Sequence, residues 1–131
     1  MSGYEAEVLA QQLAQLGRDL SAEVVILGEL EEAAVDAEGE FRRLEAEHDD
    51  NLDRAFLASE GNVEVRKASA RLKCVPSRLF KQDANLDWNH ARARVRTQNA
   101  NLSALHRRVE IGRSLLSREK SLLSLAGIGE T

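Results

Sequence analysis

The side chains best suited to meet a charged ligand crowd into one stretch, VRKASARLKCVPSRLFKQDANLDW at 65–88. It holds Arg66, Lys67, Arg71, Lys73, Arg78 and Lys81, with only Asp83 and Asp87 as acids. The chain around it is acidic, with a formal net charge of -4. On a helix, Val65, Leu72, Val75, Leu79 and Leu86 share one face. Lys67, Arg71, Arg78 and Lys81 fall on the opposite face, with Arg66 and Lys73 at its side. A run of charge is usually just a solvated surface. The density of this one, with few acids interrupting it, also suits a phosphate backbone.

Other chemistry is sparse. No stretch reads as GxxxxGK[ST] or HExxH, and no paired cysteine motif occurs. His48, His90 and His106 are scattered. His48 lies in EAEHDDNLD, where a solvated acidic face with one histidine in a helical seam is favoured over a metal site. Ser114 and Ser117 have no evident base partner. We therefore expect no enzyme, no catalytic residue, no cofactor and no resident metal. Cys74 is the single cysteine, which excludes an internal disulfide and fits a reducing cytosol. The N-terminal MSGYEAEVLAQQL does not read as a signal peptide, and the longest apolar run, VVIL at 24–27, is far too short to span a bilayer. A cytoplasmic protein without a membrane partner is expected.

The elements that would carry the cations are helical. The chain has 131 residues, one proline and few aromatics, so its apolar content is mostly Leu, Val, Ile and Ala. Leu13, Leu16, Leu20, Leu27, Leu30, Ala34, Ala37, Phe41, Leu44, His48 and Ala55 keep a heptad, with Glu23 and Asn51 as misfits. Trp88, Ala91, Val95, Leu102, Leu105, Val109, Leu116 and Leu123 keep a second, with Gln98, Gly112 and Glu119 as exceptions. Gly17 reads as a helix stop, with Asp19 or Ser21 capping the next helix. Ser59-Glu60-Gly61-Asn62 reads as a turn, with Gly61 left-handed and Asn62 an N-cap. Pro76 either starts a helix or kinks one. The glycines of the tail AGIGET are expected to end the last helix. The expected fold is all-α and a single domain, with helices at about 4–16, 19–59, 63–75 and 77–125. The long segments would fold back as an antiparallel, coiled-coil-like hairpin that oligomerises.

Charge divides with the hairpin. Residues 1–60 carry 4 basic and 16 acidic side chains, and residues 61–131 carry 14 and 6. The flanks of the first seam hold Glu31, Glu38, Glu40, Glu45 and Glu47, and those of the second hold Arg92, Arg94, Arg108 and Arg113. Cross-helix pairing of these groups is expected, leaving the cations ahead of Trp88 free. Trp88 could stack a base, although its heptad position favours the core.

This order of elements resembles the phage recombination mediators of the UvsY type. The local match is Lys81-x-Asp83-x-x-Leu86-x-Trp88, where the family reads Lys-x-Asp-x-x-Leu-x-aromatic as its last long helix begins. Lys67 falls near a lysine of the family's preceding helix. The resemblance implies a non-catalytic protein of DNA recombination and repair. It would bind single-stranded DNA and help a RecA-like recombinase displace single-strand-binding protein, working as a ring-shaped homo-oligomer in the host-cell cytoplasm. The family carries basic residues just before the turn glycine. Here LDRAFLASEG offers only Arg54, so the expected DNA contacts are Arg66, Lys67, Arg71, Lys73, Arg78 and Lys81, with Arg54 beside them. Leu9, Leu13, Leu16, Leu115, Leu122 and Leu123 are the expected subunit contacts. The rival expectation is a coiled-coil scaffold or chaperone with a protein partner.

Overall fold

A computed structural model describes residues 3–129. They are all-α: α1 spans Gly3–Ala58, α2 Val63–Lys73 and α3 Val75–Gly129. Two compact units result. One pairs α1 up to Gly28 with α3 from Arg96, and the other comprises Glu29–Val95.

The helix expected to stop at Gly17 does not stop. α1 is continuous, because the residues meant to end and restart it bond within it instead. Gln15 donates to Asp19 at 2.8 Å, Arg18 donates to Gln15 at 2.7 Å, and the Ser21 hydroxyl donates to the Gly17 carbonyl at 3.1 Å. The Leu13–Leu16–Leu20 row runs through the same region half-buried. One glycine costs about 1 kcal/mol against alanine, too little to break a helix whose apolar row continues. α3 likewise passes through Gly127 and reaches Gly129, so the tail glycines do not end it where expected.

In the first unit, α1 and α3 run antiparallel, and residues that break the heptads face one another. Leu13 Cδ1 lies where a Cβ on Gly112 would come within 3.0 Å, so the glycine makes room for the leucine. The buried Gln98 amide donates to the Glu23 backbone carbonyl at 2.9 Å and also to its carboxylate. The two polar misfits thus form one satisfied layer. Such a layer sets register, since any slip would leave both groups unpaired.

In the second unit the turn forms as expected. Gly61 has φ 108°, and Asn62 caps α2 by accepting from the Val65 amide at 2.9 Å. Phe41 stacks on Trp88 with centroids 5.4 Å apart. Buried His48 meets Ser77 Oγ through Nδ1 at 2.7 Å, and Ser77 donates to the Cys74 carbonyl at 3.1 Å. Cys74 ends α2 and Pro76 sits in the first turn of α3, where its missing N–H is no loss. Pro76 therefore separates two helices.

The face of α2 and early α3 that turns inward is not the one its large aliphatics mark. Ala70, Cys74 and Ala84 are buried and Ser77 is half-buried. Val65, Leu72, Leu79 and Leu86 are exposed, Leu72 at 76 %. The inward row is the Trp88 heptad continued backwards by sevens. Its side chains are small where α1 offers large ones, as Ser77 does opposite His48. Lys81 lies on this row and is half-buried.

Candidate nucleic-acid interface

Among the described residues, the seam-flanking glutamates and arginines expected to pair across the helices form no such ion pair. The ion pairs seen among the described residues stay within α1, one turn apart. Arg42 meets Glu38 at 4.0 Å and Glu45 at 3.3 Å, Arg43 meets Glu40 at 2.6 Å and Glu47 at 3.2 Å, and Arg54 meets Asp50 at 2.8 Å. The hydrogen bond from Arg43 holds the Glu40 carboxyl below the usual glutamate range and raises the guanidinium in return. Such neighbours win because both groups already sit on one helix. Arg92 is engaged elsewhere: it bonds Asn89 and lies 4.1 Å from the Trp88 ring centroid. Trp88 also carries Phe41 and the Arg42 guanidinium, so it serves the core and is not free to stack a base.

The six cations of 66–81 separate by role. Arg66 is built into the turn. Its Nε donates to the Ser59 carbonyl at 2.9 Å, its Nη2 lies 3.5 Å from the Leu57 carbonyl, and its guanidinium covers Phe56 at 4.9 Å. A cation here satisfies carbonyls at the C-terminal end of α1, where the helix dipole favours positive charge. Lys67, Arg71, Lys73 and Arg78 are exposed, Lys81 is half-buried, and none of the five forms an ion pair among the described residues. Arg54, by contrast, has its carboxylate.

Two shallow grooves border these cations. Lys67 and Arg71 line one of about 380 Å³ with Leu52, Asp53, Phe56 and Ala70. Lys73 borders another with Glu47, Asn51, Cys74, Pro76, Ser77 and Phe80. The first was legible only by reflecting the chain about its turn. Leu52 and Phe56 precede Gly61 by about the distance at which Lys67 and Ala70 come after it, so a hairpin must bring them together. No group of three His, Cys, Asp or Glu placed to hold a metal occurs among the described residues, and no described helix is long and apolar enough to cross a membrane.

The leucines expected at subunit contacts also divide. Leu9, Leu13, Leu16 and Leu123 are half-buried, and Leu13 meets Gly112 of its own chain. Leu115 and Leu122 are exposed. No family model, curated protein or solved structure matches this chain. The comparisons thus add nothing to the likeness read from Lys81, Asp83, Leu86 and Trp88, and the separate short first helix on which that likeness also drew is part of α1.

Proposed function

We propose that this is a non-catalytic, homo-oligomeric protein that binds single-stranded DNA. Its task would be that of a recombination mediator, helping a RecA-like recombinase onto DNA covered by single-strand-binding protein, in the cytoplasm of a host cell if a phage encodes it. One observation carries the reading. Lys67, Arg71, Lys73, Arg78 and Lys81 have no carboxylate within ion-pair distance among the described residues, whereas Arg42, Arg43 and Arg54 of the acidic helix do. Arg66 and Arg54 leave the set of DNA contacts, because the fold already uses them. Phosphate contacts carry no sequence information, so most of the affinity is independent of sequence.

The test is fluorescence anisotropy with a labelled oligothymidylate at low salt. Wild type binds, and the triple variant Arg71→Glu, Arg78→Glu, Lys81→Glu loses most of the affinity while keeping its helical circular dichroism. Equal binding by the two proteins would remove this site from consideration.

A second reading, a scaffold or chaperone with a protein partner, is favoured by Val65, Leu72, Leu79 and Leu86. They are exposed and spaced by sevens, the period of a helix-pairing seam. Failure to bind DNA at micromolar protein would favour it.

A further inference from the structure

The groove between the end of α1 and α2 combines groups that make different demands on a ligand. Leu52 and Phe56 lie one turn apart on α1, and Ala70 opposite them ends at its Cβ, leaving an apolar slot of about 380 Å³. That volume lies within the range of small-ligand sites. Arg66, held by backbone carbonyls, covers the Phe56 ring at 4.9 Å and fixes it in place. Lys67 and Arg71 bring two positive charges to the rim without a carboxylate partner. Asp53 shares the groove and forms no ion pair with either of them. A ligand that satisfies all of these is flat and apolar on its faces, presents N–H donors on one edge, and carries negative charge on both sides.

We infer that this groove is a nucleobase subsite for a single strand and that it prefers guanine. The inference rests on the single-strand reading above and deepens it. The base lies against Leu52 and Phe56, its flanking phosphates meet Lys67 and Arg71, and its edge faces Asp53. A carboxylate only accepts hydrogen bonds. Guanine answers it with two adjacent donors, N1–H and the 2-amino group. Adenine and cytosine present one amino group each. Thymine presents N3–H between two carbonyl oxygens, which the carboxylate repels. Base stacking supplies affinity for any base, and Asp53 adds the discrimination.

The full chain is titrated by anisotropy against two labelled 20-mers, one all thymidine and one with an isolated guanine at every fourth position, too dispersed to form quadruplexes. The guanine strand should bind about five-fold more tightly, the lower end of what a two-point base contact provides. Asp53→Asn should abolish this ratio while raising affinity for oligothymidylate, because the carboxylate that repels the thymine carbonyl oxygens is gone. Phe56→Ala should weaken both strands by about five-fold or more. Arg78→Glu should weaken both and leave the ratio unchanged. Asp53 is exposed and unpaired, so its variant tests the idea even if Phe56→Ala melts early. If the strands bind wild type equally, or the ratio survives Asp53→Asn, the subsite is refuted while salt-sensitive binding sustains the broader reading. If neither strand binds, both fall. If Phe56→Ala instead lowers the mass measured by light scattering, the groove is a contact between copies of the chain and the subsite is refuted.

Discussion

The layer formed by Glu23 and Gln98 offers the sharpest test of how α1 meets α3. Gln98 is 6 % exposed, and its amide serves two acceptors on Glu23, one of them charged. Gln98→Ala removes both bonds and strands a half-buried carboxylate, which costs about 2–3 kcal/mol. Unfolding entropy of about 2.1 cal/mol/K per residue makes each kcal/mol worth roughly 3–4 °C for a chain of this length. The midpoint should therefore fall by about 7–11 °C. Glu23→Ala is milder, about 1 kcal/mol, because Gln98 keeps its bond to the Glu23 backbone carbonyl. The double variant should lose little more than Gln98→Ala alone, giving a coupling of about 1 kcal/mol. The assay is thermal circular dichroism at fixed protein concentration, since association shifts the midpoint. Additivity of the two single losses to within about 0.3 kcal/mol would refute the contact, and with it the register of this unit.

Three further outcomes rest on local geometry. Gly61→Ala should cost about 1–2 kcal/mol in urea melts, because φ 108° is outside the range a side chain tolerates and the new Cβ would sit 3.1 Å from Val65 Cγ1. Leu72→Ser should leave the unfolding free energy of the dilute protein within about 0.5 kcal/mol of wild type, whereas Ala70→Leu, forced into a buried position, should cost about 1–3 kcal/mol; the reverse ranking would mean that α2 turns its other face inward. The Glu40–Arg43 contact lowers the glutamate's folded pKa, so its contribution is present above the unfolded value of about 4.3 and is lost as pH falls through the folded one. Because both groups are exposed, Glu40→Gln should change acid melting only slightly, and a large effect would show a partner beyond Arg43.

The long seams were legible because a heptad records burial directly. The positions at 13–55 and 88–123 that keep it are half-buried or buried, and the misfits Glu23, Asn51, Gln98, Gly112 and Glu119 are too. Glu23 with Gln98, and Gly112 with Leu13, show why a misfit need not break the pattern: each is answered by its opposite number on the other helix. Gly61 and Asn62 were legible because a positive φ and a side-chain cap leave few residue choices. Between 65 and 86 the usual guide reverses. Size points to Val65, Leu72, Leu79 and Leu86, whereas close approach to bulky residues of α1 demands Ala70, Cys74, Ser77 and Ala84. Only the period carried back from Trp88 reveals the second row. The charge pairing was misread because net charge per half counts formal charges and says nothing of distance. Arginines one turn from glutamates on α1 reach them first.

That local pairing bears on how the remaining cations could work. Five unpaired cations on one protomer would give a log–log salt slope of about -3.5 if each neutralised one phosphate of a single strand. Raising salt four-fold, from about 50 to 200 mM, would then weaken binding by roughly 100-fold. A lone protomer would thus be a poor binder at physiological salt, and a second linked copy would supply its cations at high effective concentration rather than by new chemistry. The exposed row Val65, Leu72, Leu79 and Leu86 lies on the same helices as those cations, so association of copies through it would bring a second set of cations near the first. The coupling of association to DNA binding can be read from one series. If Leu79→Ser lowers both the mass of the particle and the steepness of the salt dependence, association through this row multiplies the cationic sites. If the mass falls and the slope does not, each protomer binds DNA alone, and the row serves some other partner.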